Sequence, residues 1–113
     1  MTKVTVDAGA CGFRSGITAN KEDRRSVRIE IESDCDSVAE LGEKLKDLGL
    51  LGLGDVLGKG TNGNRILATG MNTLSHSGCP VLSAIIKVCE VELGLNIPCP
   101  VRIEFQEEPK QSD

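Results

Sequence analysis

The chain has no tryptophan and no tyrosine, and only Phe13 and Phe105 represent the aromatic class. Proteins that hold single-stranded nucleic acid stack its bases on aromatic rings, so composition argues against that function class. An excess of positive charge is also missing: 13 Lys and Arg face 17 Asp and Glu, for a net charge of −4. A phosphate backbone is met by the opposite balance, and no nucleic-acid partner is expected. Long apolar runs are absent. The most apolar stretch, residues 81–93, is broken by Lys87, Glu90 and Glu92, so no membrane span is expected. There is a single histidine, His76, and no nucleophile elbow, which leaves no serine–histidine–acid set to argue. The first residues alternate Val4, Val6 and Ala8 with polar side chains. That is a strand pattern rather than the continuous apolar core of a signal peptide, and the expected location is cytoplasmic.

Cysteine, by contrast, is plentiful: Cys11, Cys35, Cys79, Cys89 and Cys99. An odd number cannot pair fully within one molecule, and a cytoplasmic chain keeps its thiols reduced. Their roles then divide among metal ligation, redox or nucleophilic chemistry, and packing.

With 113 residues and 39% hydrophobic content the chain supports one core. Residues 3–8 read as a first strand. Phe13, Ser15, Ile17 and Ala19 recur with period two as a second, and Val27, Ile29 and Ile31 alternate with charged residues as a third. Ser37-Val38-Ala39-Glu40 matches a capping box, followed by a helical face of Val38, Leu41, Leu45 and Leu48. Residues 50–63 are rich in glycine and read mainly as loop with a short helical turn around 55–57, and 65–74 as a short helix. Their Gly-Asp-Val-Leu-Gly-Lys-Gly-Thr run has the wrong spacing for a phosphate loop. Pro80 suits the start of a long helix through residue 93, with Gly94 at its end. Val101, Ile103 and Phe105 read as a last strand. The expected fold is a single α+β domain over residues 1–106 with a polar tail at 107–113. Its element order is β-β-β-α-α-β, a small, mostly antiparallel sheet with helices on one face.

Three cysteines fall at junctions. Cys11 lies among glycines in the first turn, Cys35 closes the third strand, and Cys79 precedes Pro80 at the entrance of the long helix, three residues after His76. A three-strand meander returns the third strand to the end where the first turn lies, so Cys11 and Cys35 share one edge. A helix crossing that end adds Cys79 and His76. Thiolates and an imidazole select zinc, iron or an iron–sulfur unit, and three thiolates with one histidine is a common zinc set. The metal site is therefore placed at Cys11, Cys35 and Cys79, with or without His76. Cys89, on the apolar face of the long helix, reads as core, and Cys99, between two prolines, as structural.

The stretches Asp-Ala-Gly-Ala-Cys-Gly-Phe at 7–13, Glu-Ser-Asp-Cys at 32–35 and His-Ser-Gly-Cys-Pro-Val at 76–81 resemble a family of short microbial proteins without assigned function. More distantly the layout resembles the U-type iron–sulfur cluster scaffolds and the cysteine domain that ends in a Ser-Cys-Pro-Asp motif. The scaffold resemblance implies that Cys11, Cys35 and Cys79 are cluster or zinc ligands and His76 a fourth.

The leading reading is thus a metal- or iron–sulfur-binding protein without an autonomous catalytic reaction. The competing class is a thiol redox protein or sensor with Cys79 as attacking thiolate at a helix N-terminus. A third is an interaction module whose cysteines only pack, with a protein partner or a second copy bound through an edge strand.

Overall fold

The computed structural model describes residues 1–108. Three strands form an antiparallel meander: β1 (Thr2–Asp7), β2 (Arg14–Asp23) and β3 (Ser26–Ser33). A two-residue strand, β4 (Leu51–Gly52), adds beside the start of β3, completing the order β1-β2-β3-β4. Five helices follow β3 in the chain: α1 (Asp36–Leu48), α2 (Leu53–Leu57), α3 (Gly60–Gly63), α4 (Arg65–Thr73) and α5 (Val81–Glu92). The fold is α+β with an antiparallel sheet.

The alternation in the strands decides which face is covered. Val6, Ile17, Ala19, Val27 and Ile29 point to one side and are buried, whereas Lys3, Thr5, Arg28, Glu30 and Glu32 line the other and are exposed. Helix α1 lies on β3 and α5 on β1 and β2, so the core fills the space between one sheet face and two long helices. Leu41 and Leu45 of α1 and Ile85 of α5 are fully buried there. The layers approach closely at small residues. A Cβ on Gly42 would come within 2.9 Å of Ile31 Cβ, and one on Gly70 within 2.4 Å of Leu82 Cδ1.

Two expectations need correction. No strand forms at 101–105; these residues are exposed and belong to no strand or helix among the described residues. The apolar alternation is present there, but no neighbouring strand of the same molecule accepts its backbone hydrogen bonds. The fourth strand is β4 instead, so the order is β-β-β-α-β followed by four helices. The helical turn expected around 55–57 is present as α2, but the rest of the glycine-rich stretch is also more ordered than a loop. Asp55 takes the Gly52 amide at 2.8 Å and a two-pronged ion pair from Arg65, Nε and Nη2 each at 2.8 Å. Buried Asn64 caps α4 by accepting the Leu67 amide at 2.9 Å, and its own amide donates to the Val56 and Gly58 carbonyls. Polar contacts across about ten positions of chain replace the missing apolar periodicity. Of the expected polar tail, residues 109–113 lie outside the described residues; 107 and 108 are exposed.

Glu92 ends α5 as a nearly buried carboxylate. It accepts the Thr2 hydroxyl at 2.8 Å and the Lys21 amide at 2.9 Å, and the Met1 ammonium lies 3.1 Å away. Burial pushes its pKa up, but the Lys21 amide, the Thr2 hydroxyl and the ammonium outweigh it and hold the carboxyl below its ordinary value. Asp55 is lowered chiefly by Arg65, against desolvation. Both folded pKa values lie below the unfolded ones. The stability they supply is therefore complete above the unfolded carboxylate range, near pH 4, and is lost as pH falls through the folded values. Glu92→Ala, which leaves the Lys21 amide unpaired, is expected to cost about 2 kcal/mol at pH 7. The difference from the parent should shrink in urea titrations repeated toward pH 3.

Candidate thiol site

The turn between β1 and β2 is built to expose Cys11. Gly9 and Gly12 take φ of 89° and 73°, conformations that L side chains rarely adopt, and the Gly12 amide closes onto the Gly9 carbonyl at 2.9 Å. The Asp7 carboxylate accepts the Gly9 amide at 3.1 Å and steadies the turn from below. Cys11 stands at its tip, exposed.

Cys35 is placed differently from the sequence expectation. Helix α1 begins at Asp36, so Cys35 is its N-cap residue rather than the end of β3, and Ser37 lies inside the first turn. The predicted capping box at Ser37–Glu40 does not form, because the helix starts before it. Ser33 Oγ accepts the Cys35 amide at 3.1 Å and meets Ser15 Oγ at 2.8 Å, tying the helix entrance to the sheet. The freed Ser37 hydroxyl lies 3.4 Å from Cys35 Sγ. The Ser37 hydroxyl, then the Val38 amide, lower the Cys35 thiol pKa; desolvation and the Asp36 charge oppose them without reversing the shift. The sequence signal was available in the Cys-Asp-Ser order, but Asp36 beside the sulfur pointed the other way.

Cys79 is half-buried and directly precedes Pro80, the N-cap of α5, while His76 is exposed in the connection from α4. Cys89 is fully buried on α5. Burial, with the charges of Glu90 and Glu92, pushes its thiol up to about 12, so it behaves as a core residue. Cys99 is exposed beyond α5.

The four expected residues converge. A cavity of about 210 Å³ opens between the β1–β2 turn, the start of α1, the α4–α5 connection and the start of α5. Its wall includes Cys11, Cys35, Cys79 and His76, with Ser15, Ser37 and Ser75 as further polar groups and Phe13, Val38, Leu74 and Val81 as apolar ones. The sulfurs share a wall without sharing an ion-sized centre: among the described residues no three His, Cys, Asp or Glu side chains are close enough to hold a metal together. The donor set matches a soft metal in chemistry, but its spacing is open. No helix among the described residues is long and apolar enough to cross a membrane.

Neither a curated protein nor a solved structure matches this chain. A family model does, and it spans residues 2–105, taking in every element described above, the cavity with its three cysteines, and the segment after α5. The chain belongs to this family, the family of unknown function DUF6951.

Proposed function

We propose that the protein binds a soft metal, zinc or an iron–sulfur unit, through Cys11, Cys35 and Cys79, with His76 as a fourth donor. The observation that supports this reading is the convergence of all four side chains, from four separate segments, on one cavity. Three thiols and an imidazole form a soft donor set, and ligands must be deprotonated to bind. The Ser37 hydroxyl and the Val38 amide, which lower the Cys35 pKa, ease that deprotonation. Two of the donors are exposed, Cys11 in its glycine turn and His76 in the connection from α4. Binding requires both to approach Cys35 and Cys79, so metal should draw these segments together. The test is anaerobic purification followed by metal analysis and a visible spectrum, before and after supplying zinc, or iron with sulfide. About one zinc, or iron with sulfur-to-iron absorption in the visible, is the expected result. Less than roughly a tenth of an equivalent after both treatments, against the near-complete loading expected of a thiolate site, refutes it.

A second reading, thiol redox chemistry, is favoured by one specific feature, the Ser37 hydroxyl and Val38 amide around Cys35. It moves the attacking role from Cys79 to Cys35. Attack of the Cys35 thiolate on a small disulfide releases one thiol and leaves a mixed disulfide. A second cavity cysteine then displaces the other thiol and leaves an internal disulfide. In metal-free protein, iodoacetamide at pH 7 should modify Cys35 before Cys11, and leave Cys89 untouched until the chain unfolds. Equal rates at Cys11, Cys35 and Cys79 would remove the basis for this reading.

A further inference from the structure

The segment after α5 exposes side chains that a monomer has no reason to leave in water. Val101 is 62% exposed, Ile103 74% and Phe105 98%, and they alternate with Arg102 and Glu104. The segment lies inside the family match, which ends at Phe105. The sheet meanwhile ends in an open edge: β1 pairs only with β2 among the described residues. Its inward row is incompletely covered, with Val4 half-buried next to buried Val6.

We infer that residues 101–105 form a fifth strand on the β1 edge of a second copy of this chain, reciprocally, giving a strand-exchanged dimer. The apolar rows set the face: Val101, Ile103 and Phe105 must lie beside the inward residues Val6, Val4 and Thr2. Charge then sets the direction. Antiparallel pairing places Glu104 opposite Lys3 and leaves Arg102 diagonal to Asp7, whereas parallel pairing in the same register sets Arg102 beside Lys3. Chain direction decides between one molecule and two. Glu92 at the end of α5 holds Thr2, so α5 delivers the segment to the start of β1. An antiparallel strand on the same molecule would have to enter at the far end, by Val6, and turn back on a hinge stiffened by Pro98 and Pro100. A second molecule meets no such constraint, and the exchange satisfies both the open edge and the exposed row.

Sedimentation equilibrium of the full chain should give twice the 12.0 kDa monomer mass. Arg102 falls opposite Thr5, whose backbone faces the open edge because Val4 and Val6 turn theirs to β2. Arg102→Pro therefore removes a ladder hydrogen bond in a segment that carries none of the core, and should give monomer with the helical circular-dichroism signal retained. Lys3→Glu and Glu104→Lys each put like charges together twice per dimer and should each weaken dimerisation about tenfold. Mixing the two variants should restore it, because the heterodimer pairs opposite charges at both edges. A wild-type chain that stays monomeric at high concentration overturns the inference, as does a dimer indifferent to Arg102→Pro. Failure of the mixture to recover would place the segment on its own β1 or elsewhere, and would equally overturn it.

Discussion

Cys11→Ser, Cys35→Ser and Cys79→Ser are each expected to remove most of the metal from the loaded protein, and any pair of them should do little more harm than one. The three thiols line a single cavity from three different segments. If they share an ion, the first loss forfeits most of the common binding energy and leaves little for the second to remove. Independent sites would give additive losses instead, and metal analysis of the three single and three double variants distinguishes the two outcomes. His76→Ala tests the fourth position: a loss as large as that of a cysteine makes it a ligand, and a tenfold or smaller weakening makes it a group that supports one. Cys89→Ala is the internal control. Buried and with its thiol near 12, it should retain metal in full and cost only about 1 kcal/mol of packing.

The largest stability effect is expected from Gly58→Ala. A Cβ at this position would sit 2.1 Å from the Gly63 carbonyl oxygen and 2.3 Å from that of Gly54, both backbone atoms that no rotamer change can move aside. The substitution must therefore push α2 away from α3 and disturb Asn64, whose amide bonds the Gly58 carbonyl at 3.2 Å. A cost of about 3 kcal/mol follows, at the upper end for overpacking. In a chain of this length that lowers the melting temperature by roughly 10 °C. Gly60→Ala separates crowding from conformation. Its φ is 71° but its Cβ would meet nothing within 4 Å, so it should cost only about 1 kcal/mol. Gly58 has φ of −61°, which any residue adopts, so equal losses for the two variants in urea unfolding would show that the segment shifts to relieve the crowding.

The strands β1, β2 and β3 were legible because period-two alternation is a local signal, and a sheet covered on one side writes it directly into the chain. Helices α1 and α5 were legible for the corresponding helical reason. Helix α4 and the turn of α2 were legible too, but β4 and α3 were not. Asp55 and Asn64 order residues 51–64 through partners up to about ten positions distant, and a glycine-rich composition does not reveal such pairs. Residues 101–105 mislead in the opposite sense. Their alternation is a true strand pattern, yet a strand needs a neighbour, and none pairs with it among the described residues.

The same division runs through the thiol site. By itself the sequence determined the donor types, their junction positions and the return of the meander that places the Cys11 turn and the end of β3 together. It also placed Cys89 in the core, since an apolar helical face leaves no other place for it. Only the tertiary structure decided that α5 enters at that same end, closing the cavity with Cys79 and His76. Only there does Cys35 become a helix N-cap, where the Ser37 hydroxyl and the Val38 amide outweigh the opposing charge of Asp36 on the thiol. The reason is physical: spacing along a chain constrains local geometry. The pKa of a sulfur and the company it keeps depend on hydroxyls, amides and charges that folding brings within a few ångströms.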